Sequence, residues 1–411
     1  MPVKKTVTNN APFLQPINGG ITAPKGFIAS AAEAGIKASG GNDIALLYSE
    51  TPCAAAGAFT ANNVRASSVD WCEGILPSTG IHAVFCNAGN ANACTGKRGE
   101  KDTRSIAKAI ARTYGGGPES ALVAATGVIG HFLPMKAILP KIAVLWKTAS
   151  RRGGSDFARA IMTTDTRVKE CACNVVLRKG TCTIGGCAKG SGMIHPNMAT
   201  MLCFITADVA VSVKLLNAMV KRAIDRTFNN LTVDGDTSTN DMALALANGC
   251  SGVSVDEGED ARRFEEGLYA VCTTLCKKIA EDGEGATKRL EIAVTGAKTY
   301  EDAKLAAKAI ANSNLVKTAM FGSDPNWGRI VCAVGYSGAR FSRARLSVDL
   351  CGIPVFLAMR PISFPQKALH KKLKAKVVTI AVDLGLGEHE AVAHTCDFSY
   401  DYVKINAEYH T

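Results

Sequence analysis

The stretch KGSGMIHPNMATMLCFITAD, residues 189–208, changes character at one point. Up to Ala199 it is built from turn formers: Gly190, Ser191 and Gly192 open unusual backbone paths, and His195-Pro196 keeps the approach extended. From Thr200 onward it becomes an apolar run of β-favouring residues. A strand that starts there accounts for the pattern by itself. Chemistry offers a second reading. A threonine hydroxyl is a weak nucleophile until a base takes its proton. When Thr is the first residue of a chain, its own α-amino group, of pKa about 7.7–8.0, supplies that base. Such an amine arises inside a chain only if the chain cuts itself between Ala199 and Thr200. The Thr oxygen would attack the Ala199 carbonyl, and the resulting ester would hydrolyse. The small Ala199 side chain leaves that carbonyl accessible.

Working outward, β-favouring pieces recur on both sides: DIALLYS (43–49), HAVFCNAG (82–89), ALVAATGVIG (121–130), RLSVDLCG (345–352) and KVVTIAVDLG (376–385). CNVVLRKGTCTIGGCAKGSG (173–192) reads as a hairpin. Helical spacing occurs over 101–115, with Ile106, Ile110 and Ala111 on one face, and over 212–231 and 260–283. Residues 301–322 read as a further helix, and 135–150 as one interrupted by Pro140. Strands alternating with long helices imply an α/β or layered α+β fold. The chain of 411 residues is long enough for two domains or one large intertwined fold.

Composition narrows the classes. No apolar run reaches the ~18–20 residues a membrane span needs. The N-terminus has two lysines without a following apolar segment, unlike a signal peptide. It also lacks the Arg-rich amphipathic pattern of a transit peptide, although an organellar protein would already have lost one. The 15 cysteines include no Cys-x-x-Cys pair, and Cys86, Cys203 and Cys332 sit in apolar segments. The expectation is reduced cysteine, no metal site, and a reducing compartment such as the cytoplasm. The formal charge of +11 comes from residues 1–199, which hold 22 Lys+Arg against 11 Asp+Glu. That surplus suits anionic substrates or an acidic partner surface. A basic RNA-associated protein is the remote alternative, but the charges are scattered and the expectation is no nucleic acid.

Four polar, Gly-rich loops exceed what connection requires: CNAGNANACTG (86–96), VDGDTSTND (233–241), EDGEGATK (281–288) and FGSDPNWGR (321–329). Acyl chemistry also needs donors for a developing oxyanion. Thr126 and Gly127, where an apolar strand runs into a turn, offer a hydroxyl and a backbone N–H.

These pieces together resemble the ornithine acetyltransferase family (glutamate N-acetyltransferase). KGSGMIHPNMATML resembles its self-cleavage site. ATGVIG, IMTTDT, EDGEGATK, FGSDPNWGR and the C-terminal DYVKINAEYHT resemble its other blocks, in the same order, from about residue 18 to Thr411. The resemblance implies an αββα fold, with fragments 1–199 (α) and 200–411 (β) that stay together and associate as a heterotetramer of two α and two β chains. It implies an acyltransferase of arginine biosynthesis that moves an acetyl group from N-acetylornithine to glutamate, without cofactor or metal. Some members also accept acetyl-CoA. Thr200 matches the acetylated nucleophile, Thr126 and Gly127 the oxyanion hole, and Thr163, Lys189, Glu284, Asn406 and Thr411 the substrate-binding positions. Lys189 suits an α-carboxylate and Glu284 a cationic amine. Two departures stand out. Arg167-Val168-Lys169 occupies a place where the family often has Phe-Pro-Lys, which bears on substrate fit near Thr163, and cysteine is heavier than the resemblance leads one to expect. The rival enzyme reading is an N-terminal-nucleophile amidase or aminopeptidase, which would pass the acyl group to water.

Overall fold

The structure is a computed structural model and describes residues 11–195 and 201–408. Ala199, Thr200 and Thr411 lie outside the described residues.

The larger sheet joins β1 (Leu14–Ile17), β2 (Phe27–Ala32), β3 (Ile44–Phe59), β4 (Ser78–Asn90), β5 (Ala121–Val128), β6 (Lys169–Leu177), β7 (Gly180–Lys189) and β8 (Leu202–Ala207). After the short β9 (Ala210–Val211) it is completed by β10 (Met242–Ala247). The order is β1-β6-β7-β8-β10-β3-β4-β5, with β2 also on β3. Strand β3 makes this possible. Its first part, Ile44–Ser49, pairs with β2, and its last part, Ala54–Phe59, pairs with β10. The register with β4 breaks between Tyr48 and Cys53.

Side chains alternate across a strand, and the alternation sorts the core into layers. Leu47, Val84, Cys86 and Leu122 from β3–β5 pack in one apolar layer with Cys187, Phe204 and Leu244 from β7, β8 and β10. Helices α1 (Ser67–Ile75) and α4 (Gly154–Ala160) add Val69, Cys72 and Phe157 to that layer. The other face of β3–β5 presents Ile44, Leu46, Phe85 and Val123 to α2 (Gly96–Thr113) and α3 (Met135–Thr148). The other face of β7, β8 and β10 presents Ile184, Cys203, Ile205 and Ala245 to α5 (Val213–Arg226) and α6 (Glu259–Glu281). The result is helix, sheet, sheet, helix. Each fully buried Leu, Ile or Phe contributes roughly 1.5–3 kcal/mol, and that burial fixes which face of each strand turns inward.

A short pair, β9 with β11 (Ser254–Val255), lies outside this sheet. A second core gathers around β12 (Arg289–Ala297), β13 (Ser347–Leu350), β14 (Ile353–Leu357), β15 (Arg360–Pro361), β16 (Val377–Asp383) and β17 (His389–Cys396), covered by α7 (Tyr300–Asn312), α8 (Asn314–Phe321), α9 (Trp327–Tyr336) and α10 (Gln366–Leu373). Helix α11 (Tyr400–Glu408) then returns toward the first unit. The packing therefore divides near Lys288, while the layered unit draws strands from both sides of residues 199 and 200. Strands β7 and β8 are antiparallel neighbours with Lys189 opposite Leu202.

Three local expectations are corrected. Helix α3 runs through Pro140, which is exposed; the carbonyl that its missing N–H leaves free belongs to Lys136, itself an exposed residue, where water can replace the lost donor. The helix expected over 301–322 is two helices, because Ser313 is extended and its hydroxyl caps α8 by accepting from Val316 N at 3.3 Å. Cys332 is exposed on α9, whereas Cys86 and Cys203 are buried as their surroundings suggested.

Candidate active site

The ends of β5 and β7 and the start of β8 open on a cavity of about 280 Å3. Thr126, Gly127, Thr163, Lys189, Glu284 and Asn406 all line it, although they come from five separate places in the sequence. Met201, the residue that follows Thr200, lines it too.

Thr126 and Gly127 end β5 beside β4. Gly127 has φ +126°, and a Cβ there would lie 2.3 Å from the carbonyl carbon of Gly89. Only glycine lets the two strands approach this closely. Asn240 braces the corner from the other side, donating from Nδ2 to the carbonyls of Ala91 (2.6 Å) and Ala125 (2.8 Å). Lys189 Nζ donates to Thr126 Oγ1 at 3.0 Å. An ammonium has no lone pair to accept with. The hydroxyl proton of Thr126 is thus left to donate elsewhere, which is what an oxyanion requires.

Glu284 is buried, and its carboxylate accepts from Asn406 Nδ2 at 2.8 Å. It lies over Gly192, where a Cβ would stand 2.2 Å from Oε2. The Glu284 loop is stapled from both units. On one side Glu284 N donates to Ser191 O (3.0 Å) and Ser191 Oγ to Asp282 O (2.6 Å). On the other, Asp397 accepts from Thr287 N (2.8 Å) and Lys288 N (2.9 Å), and Ser399 Oγ donates to Gly285 O (2.5 Å).

The 233–241 loop closes the third side and secures the approach to the Ala199-Thr200 step. Asp234 accepts from Met193 N (2.6 Å) and Ile194 N (2.8 Å), and Thr237 Oγ1 donates to His195 O (3.0 Å). Burial raises the Asp234 carboxyl, against the pull of those backbone donors. Burial also lowers His195 to about 4, helped by Lys308, so its ring is neutral near pH 7. Tyr402 is pushed up by burial and by the carboxylates of Asp234, Glu284 and Asp236. Asp241 is buried, and its Oδ2 has no partner among the described residues. Burial drives its carboxyl well above the usual range, with Ser238 and Lys189 opposing, which favours the neutral acid.

The cavity thus offers an ammonium beside a hydroxyl donor and, from a separate loop, a buried carboxylate. That polarity suits an amino acid with an acyl group between its charged ends. The 86–96 loop backs the Thr126–Gly127 corner through Gly89 and Ala91. The 321–329 loop belongs to the second unit, where Ser323 Oγ accepts from Lys288 Nζ at 2.7 Å and none of its described residues lines the cavity. Arg167 is exposed, Val168 packs against the inter-sheet layer, and neither lines the cavity. The departure at these two positions therefore leaves the cavity wall unchanged.

Sequence reasoning singled out the 233–241 loop without assigning roles within it, and it missed Asp241, Tyr402 and the buried Asp165–Lys169–Asp282 cluster. The acid-rich spelling of VDGDTSTND was the available signal for the first. Nothing in the spacing pointed to the others.

The ArgJ family model matches residues 28–411. The arginine biosynthesis bifunctional protein ArgJ of Symbiobacterium thermophilum is 49% identical over 397 residues, covering 96% of this chain and 99% of that protein. The protein of the same name from Thermosynechococcus vestitus is 46% identical over 415 residues, covering 97% and 99%. A solved chain of the Bacillus halodurans arginine biosynthesis bifunctional protein is 41% identical, covers 50% of this chain and 98% of its own, and superposes with a TM-score of 0.49. A family match over nearly the whole length, together with relatives of this identity and coverage, means that the chain belongs to the ArgJ family.

Proposed function

We propose that this chain is an acetyltransferase of arginine biosynthesis that moves the acetyl group of N-acetylornithine to glutamate through acetyl-Thr200. The observation that carries the reading is the convergence of Thr126, Gly127, Thr163, Lys189, Glu284 and Asn406 on one cavity that Met201 also lines. In this reading the chain first cuts itself between Ala199 and Thr200, and the new α-amine becomes the base for the Thr200 hydroxyl. Lys189 holds the substrate α-carboxylate and Glu284 the ornithine ammonium. The Thr200 oxygen attacks the acetyl carbonyl. The Thr126 hydroxyl and Gly127 N–H donate to the oxyanion, and the amine leaves with the proton taken from Thr200. Ornithine departs, glutamate enters the same site, and the steps run in reverse.

The reading extends to Thr411 as a further substrate contact, to acetyl-CoA as a second acetyl donor, to a heterotetramer of two 1–199 and two 200–411 fragments, and to the cytoplasm as the site of action. No described helix is long and apolar enough to cross a membrane. Intact mass tests the central claim. Purified protein should give two fragments, beginning at Met1 and Thr200, and Thr200→Ala should give one inactive chain. A fully processed Thr200→Ala variant removes Thr200 from the mechanism. Initial-rate lines should be parallel, and acetyl should appear on glutamate; transfer to water instead would indicate the amidase class.

A further inference from the structure

Lys169 is 1% exposed, and its ammonium lies between two buried carboxylates, 2.6 Å from Asp165 Oδ1 and 2.5 Å from Asp282 Oδ2. It does not line the cavity. The remaining bonds of the two acids run to the segments that do. Asp165 accepts from Thr163 N (3.1 Å) and from Gly190 N (2.7 Å), the residue after Lys189. Asp282 accepts from Thr166 N (3.0 Å), Arg167 N (3.2 Å) and the Thr166 hydroxyl; its own carbonyl accepts from Ser191 Oγ, and Glu284 follows two residues later. One cation therefore joins the loop of Thr163, the end of β7 that carries Lys189, and the loop that carries Glu284. Burial would raise the Asp165 carboxyl, but Lys169 and then Lys189 hold it below the ordinary range. The Lys189 ammonium is thus close enough to act electrostatically on Asp165, which couples it to the cluster.

We propose that Lys169 is a positioning residue for acetyl transfer: by holding Asp165 and Asp282 together it fixes the separation between the Lys189 ammonium and the Glu284 carboxylate, and so the length of amino acid the site accepts. This rests on the assignment of Lys189 and Glu284 to the two ends of the substrate. Two carboxylates without Lys169 between them would repel in a buried setting, and the strands and loops they anchor would part. A displacement near 1 Å at such a site costs up to about 100-fold.

The test uses Lys169→Met and, as a milder break, Thr166→Val, which removes only the hydroxyl bond to Asp282. Folding is checked by a cooperative melt and processing by intact mass. KM and kcat are then measured for N-acetylornithine and for its one-methylene-shorter homologue, N-acetyl-2,4-diaminobutyrate. The expected result for Lys169→Met is a rise in KM for N-acetylornithine of about 10-fold or more, a much smaller change in kcat, and weaker discrimination against the shorter compound. Thr166→Val should shift in the same direction by less. If Lys169→Met does not fold, Thr166→Val decides. A folded, processed variant that keeps wild-type KM and wild-type discrimination overturns the proposal, as does a fall in kcat with KM unchanged. Glu284→Gln separates the two levels: if it leaves the KM for N-acetylornithine unchanged, the substrate assignment fails, whatever Lys169 does.

Discussion

Lys189 Nζ donates to Thr126 Oγ1 at 3.0 Å, so the cation assigned to the substrate carboxylate also orients the hydroxyl assigned to the oxyanion. The two roles are coupled. Thr126→Ala should lower turnover by roughly 100-fold while substrate affinity changes much less, because its donor acts mainly when charge develops. Lys189→Met should raise KM for both N-acetylornithine and N-acetylglutamate, and should also lower kcat because the Thr126 rotor loses its partner. Steady-state kinetics on both substrates checks this; an unaltered kcat in Lys189→Met would uncouple the pair.

Glu284 and Gly192 form a second pair whose geometry is testable. Glu284→Gln keeps the shape and removes the charge. It should weaken N-acetylornithine by about 1.5–3 kcal/mol, the range for a hydrogen bond to a charged group, and N-acetylglutamate much less. Gly192→Ala puts a methyl 2.2 Å from Glu284 Oε2, so the carboxylate must move off its bond with Asn406. That variant should reproduce the selective loss of N-acetylornithine with the Glu284 charge intact. Equal losses for both substrates in Glu284→Gln would assign Glu284 a structural or catalytic part instead.

Much of this was legible because it is local. The amphipathic period marks α2, α5 and α6, and the hairpin of β6 and β7 follows from apolar runs around Arg178-Lys179. The break at Ser313 was written in Asn312-Ser313-Asn314, but the apolar period continues through it and hid the cap. The insertion of β8 and β10 between β7 and β3 is not local: it depends on which strand faces bury together over long sequence separations. The site divides in the same way. Thr126, Gly127, Lys189 and Glu284 stand in motifs whose spelling resembles a family. Lys169 was visible only as the end of Arg167-Val168-Lys169, and its role stays hidden until Asp282, far along the chain, is brought to it. Asp241 looks like one more loop acid until burial removes its water.

Strand pairing predicts how the two fragments behave if the chain cuts itself as proposed. Strands β7 and β8 share a continuous register from Ile184 opposite Ala207 to Lys189 opposite Leu202, and β10 links β8 to β3. Fragment 200–411 would leave strands of the layered sheet unpaired and their apolar faces in water if it separated. The fragments should therefore co-elute in native size-exclusion chromatography and melt in one transition for the layered unit, yet separate in denaturant. Independent melting of the two fragments would contradict the shared sheet.

Asp241 sets a pH dependence with a definite sign. In the unfolded chain its carboxyl titrates near 3.9; in the folded chain burial raises it well above that. Between the two values the native state holds a proton that the unfolded state has released. Stability then falls as pH rises through this window and levels off above the folded value. Asp241→Asn keeps the size of the side chain and has no proton to lose. In a Thr200→Ala background, where no new α-amine forms, the Asn variant should match its parent in melting temperature near pH 3.5–4. It should gain on the parent progressively toward pH 8. The unpartnered Oδ2 adds a constant part to that gain only if the amide finds a partner that the carboxyl lacks, and this would displace the whole curve without changing its slope. Thermal melts of both proteins across pH 4–8 measure the slope directly. A difference that stays flat or shrinks with rising pH would mean that Asp241 is ionised in the folded chain, with the Lys189 ammonium outweighing burial.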